Sequence, residues 1–151
     1  MPDLIITPQS EAELNMQRTV SLIVRVKEHL FNLGVLLYQN CAIKMYEKLG
    51  FDSFKDYTDE LKMLSYEKMC RWKQVGEAYS REWLKEDDIM RIDETNLFAL
   101  IPVLFKTKSA QPDLVELAKY APTRDFREHL GHSVSLKDEI ICPQCGFSFR
   151  R

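Results

Sequence analysis

A chain of 151 residues suits one domain, and folding at this length removes about two-thirds of the unfolded surface from water, so a sizeable core is expected. Hydrophobic and charged fractions of 45% and 29% are those of an ordinary globular protein and exclude a disordered chain. The net charge of −2 excludes general attraction to polyanions, so nucleic-acid binding would need a local basic patch.

The opening "MPDLIITPQS" lacks a basic segment followed by a long apolar run, and no stretch has the apolar length needed to cross a bilayer. A cytoplasmic protein without membrane association is expected. Ser10 and Glu13 have capping-box spacing, which satisfies two orphan amides at a helix start. Ile23, Val26, Leu30, Leu33, Leu37, Cys41, Met45 and Leu49 then recur every three or four residues, predicting one long helix with an apolar face. Val20, Val24, Phe31, Val35 and Tyr38 widen that face, and a stripe too wide for one core predicts a homodimer contact. Gly34 is the expected bend or break, because a mid-helix glycine costs about 1 kcal/mol relative to alanine. Gly50 is expected to end the helix in the left-handed conformation, with Phe51 folding back on the last turn.

Ser53 is placed to cap a short helix from Phe54 to about Leu61, and Ser65 to cap another from Tyr66 to about Leu84. The turn between them has helix-turn-helix spacing. On a helical wheel Met69, Trp72, Val75, Gly76 and Tyr79 gather on one side and are expected to pack on Phe54, Tyr57 and Leu61. Glu67, Arg71, Lys73 and Gln74 fall on the other. The polar residue types suit DNA: Arg71 for guanine edges, Gln74 for adenine, and Lys68 or Lys73 for phosphates, with Ser65 and Tyr66 at the helix start. Residues 62 to 85 contain six basic and three acidic side chains, a modest local excess. The competing expectation is that this charge only solvates an exposed face.

Next come an acidic connector, "KEDD", and "DETNLFALIPVLF", which reads as a helix bent or ended near Pro102. Pro112 and Asp113 are expected to open a helix running through Tyr120, and Thr123 to cap one ending near Gly131. In the final twenty residues, "EIICPQCGFSFR" places β-branched and aromatic residues around a Pro/Gly turn, predicting a hairpin. The expected organisation is an all-α domain over 10–130 and a tail over 131–151. The fold class is mainly α, a helix-turn-helix bundle with a small C-terminal β-hairpin.

Of the cysteines at 41, 70, 142 and 145, only the last pair is closely spaced. Cys142-x-x-Cys145 resembles a zinc knuckle, whose turn points two sulfurs at one ion. Zinc takes four ligands, and His129 with His132 are the candidates to complete a His2Cys2 tetrahedron, Gly131 supplying a bend between them. Such a site is structural, because four protein ligands leave no open position for water. A redox pair is disfavoured without a preceding βαβ pattern. No phosphate-binding glycine loop, nucleophile elbow or His-Glu-x-x-His run is present, so no enzyme is indicated.

Residues 30 to 130 as a whole resemble small bacterial, phage and plasmid helix-turn-helix DNA-binding proteins. The resemblance is carried by a Tyr-x-x-Leu-Gly-Phe-x-Ser-Phe-x-x-Tyr segment, here Tyr46, Leu49, Gly50, Phe51, Ser53, Phe54 and Tyr57, followed by a Ser-capped helix. "PDLVELAKYAPTRDFREHL" is similar to the helices that follow in such proteins. Cys70 stands where an aromatic is often found, and Glu67 puts a negative charge at the presumed groove. The resemblance implies a regulator or accessory factor of phage or mobile-element type that binds double-stranded DNA. In the tail, outside the resemblance, Arg150 and Arg151 are expected to add phosphate contacts. The alternative is a module that docks on a protein such as the transcription machinery, which the acidic overall balance favours.

Overall fold

The computed structural model describes residues 8–62, 64–133, 140–141 and 148–149. The chain is mainly helical. Helix α1, Pro8–Ala42, has 35 residues and a length of about 52 Å. Pro8 is its first described residue, so the expected cap Ser10 lies inside the helix.

Helix α1 runs unbroken through Gly34. A Cβ on Gly34 would lie 2.8 Å from the carbonyl carbon of Trp72, and one on Gly76 would lie 2.5 Å from the Gly34 carbonyl. The glycine is therefore the point where another helix backbone meets α1, and the missing side chain permits the approach. The long helix is instead broken further on, at Lys44, which takes a left-handed φ of 52° before the short α2, Met45–Lys48. Gly50 does adopt the expected left-handed φ, 86°. The Phe51 amide reaches the Tyr46 carbonyl at 3.0 Å and the Gly50 amide the Glu47 carbonyl at 3.1 Å, the double bond of a Schellman stop.

Helices α3, Phe54–Leu61, and α4, Tyr66–Ser80, follow. The acidic connector is itself the first turn of α5, Glu86–Arg91, where three carboxylates face the positive end of the dipole. Asp93 caps α6, Glu94–Thr107, accepting from the Thr95 amide at 3.1 Å. Pro102 lies inside α6 without ending it. Buried Leu97, Leu100, Ile101, Val103 and Leu104 hold that helix on both sides of the proline, offsetting its missing amide. Helix α7, Pro112–Tyr120, opens on its proline as expected, and α8 runs Thr123–Ser133. It passes through Gly131 and across the expected boundary at residue 130.

Two segments of two residues pair antiparallel, Ile140 opposite Phe149 and Ile141 opposite Ser148. The cysteine turn at 142–147 lies outside the described residues.

Helix α4 sits at the centre, between α1, α3 and α6. Trp72, Val75 and Ala78 of α4 join Phe31, Ile89, Leu97, Leu100, Leu104, Phe126 and Leu130 in the larger core cluster. A smaller cluster, Leu37, Cys41, Phe54, Met69 and Cys70, fills the space between α1, α3 and the start of α4. Buried Asn96 donates to the Ala118 and Ala121 carbonyls, both at 3.0 Å, and so stops the end of α7 against α6. Lys119 bridges Asp88 of α5 at 2.7 Å and Glu116 at 2.6 Å, and both carboxylates hold its ammonium above the usual lysine range.

Candidate nucleic-acid interface

The two-helix element begins both helices where the sequence indicates and ends α3 there, whereas α4 stops at Ser80, short of the expected Leu84, with Glu82 turning left-handed at φ 62°. The Ser53 hydroxyl accepts from the Asp56 amide at 3.1 Å, and that of Ser65 from the Lys68 amide at 3.2 Å, so each serine satisfies an orphan donor. Between them Lys62 ends α3 with a left-handed φ of 53°, a conformation that glycine adopts more readily. Phe54 packs edge-on to Tyr46, holding α3 against α2, and tilts against Tyr57 of its own helix at 6.2 Å.

The expected contact residues divide along α4. Ser65 is exposed and Tyr66 is half-buried, with the Lys55 ammonium 5.6 Å from its ring. Lys68 and Arg71 are partly exposed, at 38% and 35% of their side chains. Lys73 and Gln74, by contrast, are wholly buried. These two assignments are corrected: neither side chain reaches a nucleic acid in this fold. The reason is geometric. A wheel that sorts polar from apolar types assumes one buried face, whereas nine of the 15 residues of α4 are buried, on sides facing α1, α3 and α6. Lys73 turns toward the smaller cluster, its ammonium 5.3 Å from the Phe54 ring and 4.0 Å from the Cys41 sulfur. Neither polar atom of the buried Gln74 amide has a hydrogen-bond partner among the described residues.

The partly exposed cations are also matched by acids. Arg71 pairs with Glu67 one turn back and stacks its guanidinium 5.5 Å from the Phe98 ring, while Lys68 meets Glu94 at 3.5 Å. Lys55 meets Asp59 at 2.6 Å. A phosphate approaching this surface would have to displace carboxylates already in place, which removes much of the electrostatic gain.

Of the expected metal ligands, Cys142 and Cys145 lie outside the described residues. His129 is exposed on α8. His132 follows it on the same helix, and three residues of separation put two positions on one helix face. At Gly131, the position of the expected bend, α8 continues unbroken to Ser133. Among the described residues no group of three or more His, Cys, Asp or Glu is arranged to hold a metal.

The apolar surface expected in excess of one core lies on the outer half of α1. Every residue from 9 to 26 is exposed, including Met16 at 69%, Val20 at 51%, Ile23 at 63% and Val26 at 57%. Lys27 marks where the helix joins the body. Its ammonium donates to the Met90 and Ile92 carbonyls at the end of α5, and burial lowers its proton affinity. The signal was in the sequence, since the apolar face begins at Val20, but spacing does not say which part of a face its own chain covers. No helix among the described residues is long and apolar enough to cross a membrane. Comparison with family models, curated proteins and solved structures found no match to this chain.

Proposed function

We propose that the chain is a non-catalytic protein-interaction module that docks through the exposed outer half of α1, the α3–α4 pair serving as scaffold. The observation that carries this reading is the division of α1. Its inner half is covered by α4, whereas its outer half presents Met16, Val20, Ile23 and Val26 to solvent. A soluble domain seldom keeps such a contiguous apolar strip exposed unless something else covers it. The burial of Lys73 and Gln74 supports the same reading, because it removes two of six candidate base and phosphate contacts. A protein of the transcription machinery is one partner class compatible with it.

A second reading, a DNA-binding regulator or accessory factor of phage or mobile-element type, is favoured by one observation. The Ser-capped pair keeps Ser65, Tyr66, Lys68 and Arg71 at the accessible start of α4, the end with which such helices read base edges. Titration of a labelled mixed-sequence duplex across salt separates the two. The docking reading expects only non-specific binding, with a Kd of about 10⁻⁴ to 10⁻⁶ M, indifferent to Lys68→Ala/Arg71→Ala. Tight binding that falls steeply with salt and is lost in that double variant would overturn it.

A structural zinc held by Cys142 and Cys145, completed by His129 and His132, is compatible with either reading. Protein purified without added metal is expected to carry one zinc per chain, lost on Cys142→Ser; a metal-free wild-type protein would end the assignment.

A further inference from the structure

Resting on the docking reading, we propose that the partner on the outer half of α1 is a second copy of this chain, paired antiparallel through the segment from Ala12 to Val26. The argument begins with spacing. Cys41, Leu37, Gly34, Leu30, Lys27, Ile23, Val20 and Met16 fall at alternating steps of four and three along α1, the seam of a heptad repeat. Inside the body that seam is filled. Leu37, Gly34 and Cys41 are buried, and Gly34 meets the backbone of α4. The seam passes Lys27 and continues outward through Ile23, Val20 and Met16, flanked by Val24, Val26 and Ala12, all exposed. The surface that packs on a helix within the chain therefore extends about 20 Å beyond the last residue that the chain covers. A surface with that periodicity fits another helix carrying the same repeat, and this chain supplies one.

The covered end sets the direction. Lys27, its ammonium against the Met90 and Ile92 carbonyls, marks where α4 and α5 begin to occupy this side of α1. In a parallel pair both bodies would lie at the same end, each in the space where the other copy's α1 continues. An antiparallel pair centred near Val20 lays Met16 and Ile23 across from one another, places the bodies at opposite ends and opposes the two helix dipoles.

Sedimentation equilibrium of the full chain, with Val20→Glu/Ile23→Glu beside it, is the first test. The wild-type protein is expected to be a dimer and the variant a monomer with unchanged circular dichroism, since both positions are exposed in the single chain. A wild-type monomer at the highest soluble concentration overturns the proposal, and so does a variant that stays dimeric. Orientation is read with Met16→Cys in a Cys142→Ser/Cys145→Ser background. The antiparallel pair holds the two Met16 positions about 12 Å apart along the axis, beyond disulfide reach, so oxidation leaves the chains unlinked. Rapid formation of a covalent dimer would overturn the antiparallel arrangement. A wild-type monomer would leave the docking reading in place, because that reading fails on a different result, duplex binding that depends on Lys68 and Arg71.

Discussion

Replacing Gly34 with alanine is expected to destabilise the protein, and replacing it with valine to lower stability by about 3 kcal/mol or more. The sign of the alanine result is informative. In a helix that merely bends at Gly34, alanine would add about 1 kcal/mol of helix propensity and stabilise the fold. Here the added methyl meets the Trp72 carbonyl carbon at 2.8 Å, which belongs to the backbone of a second helix and has nowhere to move without separating α1 from α4. Gly76 stands at the same crossing, so Gly76→Ala is expected to behave alike. Leu36, exposed on the far side of α1, provides the control: Leu36→Ala is expected to stay within about 0.5 kcal/mol of wild type. Urea unfolding followed by circular dichroism measures all of these. A Gly34→Ala protein with a raised midpoint would show that the two helices do not meet there.

Trp72→Ala is expected to cost about 3 to 5 kcal/mol, enough to unfold a domain of ordinary stability. The indole is wholly buried and packs edge-on to Phe98 at 5.6 Å, in the cluster shared by α1, α4 and α6. The neighbouring Arg71→Ala removes a surface pair with Glu67 and is expected to cost about 1 kcal/mol or less. Adjacent positions on one helix should thus differ severalfold in effect, as measured by chemical denaturation. Comparable costs at the two positions would mean that α4 does not occupy the centre of the core.

Helix starts were the most legible features of the sequence. Ser53, Ser65 and Pro112 each carry a local signal, a side-chain acceptor or a preset φ, that acts within one turn and needs no knowledge of the fold. The stop at Gly50 was legible for the same reason. What spacing could not settle was which side of a helix its neighbours occupy. Lys73 and Gln74 have side chains that usually face water, and only the packing of α1, α3 and α6 around α4 encloses them. Pro102 and Gly34 misled in the opposite sense. Both weaken an isolated helix, but tertiary contacts outweigh a local preference of one to three kcal/mol. Along α1 the apolar repeat was visible, yet its division into a covered and an exposed half follows from where α4 and α5 end, which periodicity does not encode.

Helix α4 is a core helix whose Lys73 and Gln74 face inward, which sets the docking reading apart from a groove-reading helix. Amine acylation of the folded protein, mapped residue by residue with and without duplex DNA, tests it most directly. Lys62, at an exposed turn, is expected to react readily, whereas Lys73 stays unmodified until the protein unfolds, and DNA leaves both unchanged. A Lys73 that reacts as fast as Lys62 in the native protein, and that duplex DNA then protects, would contradict it.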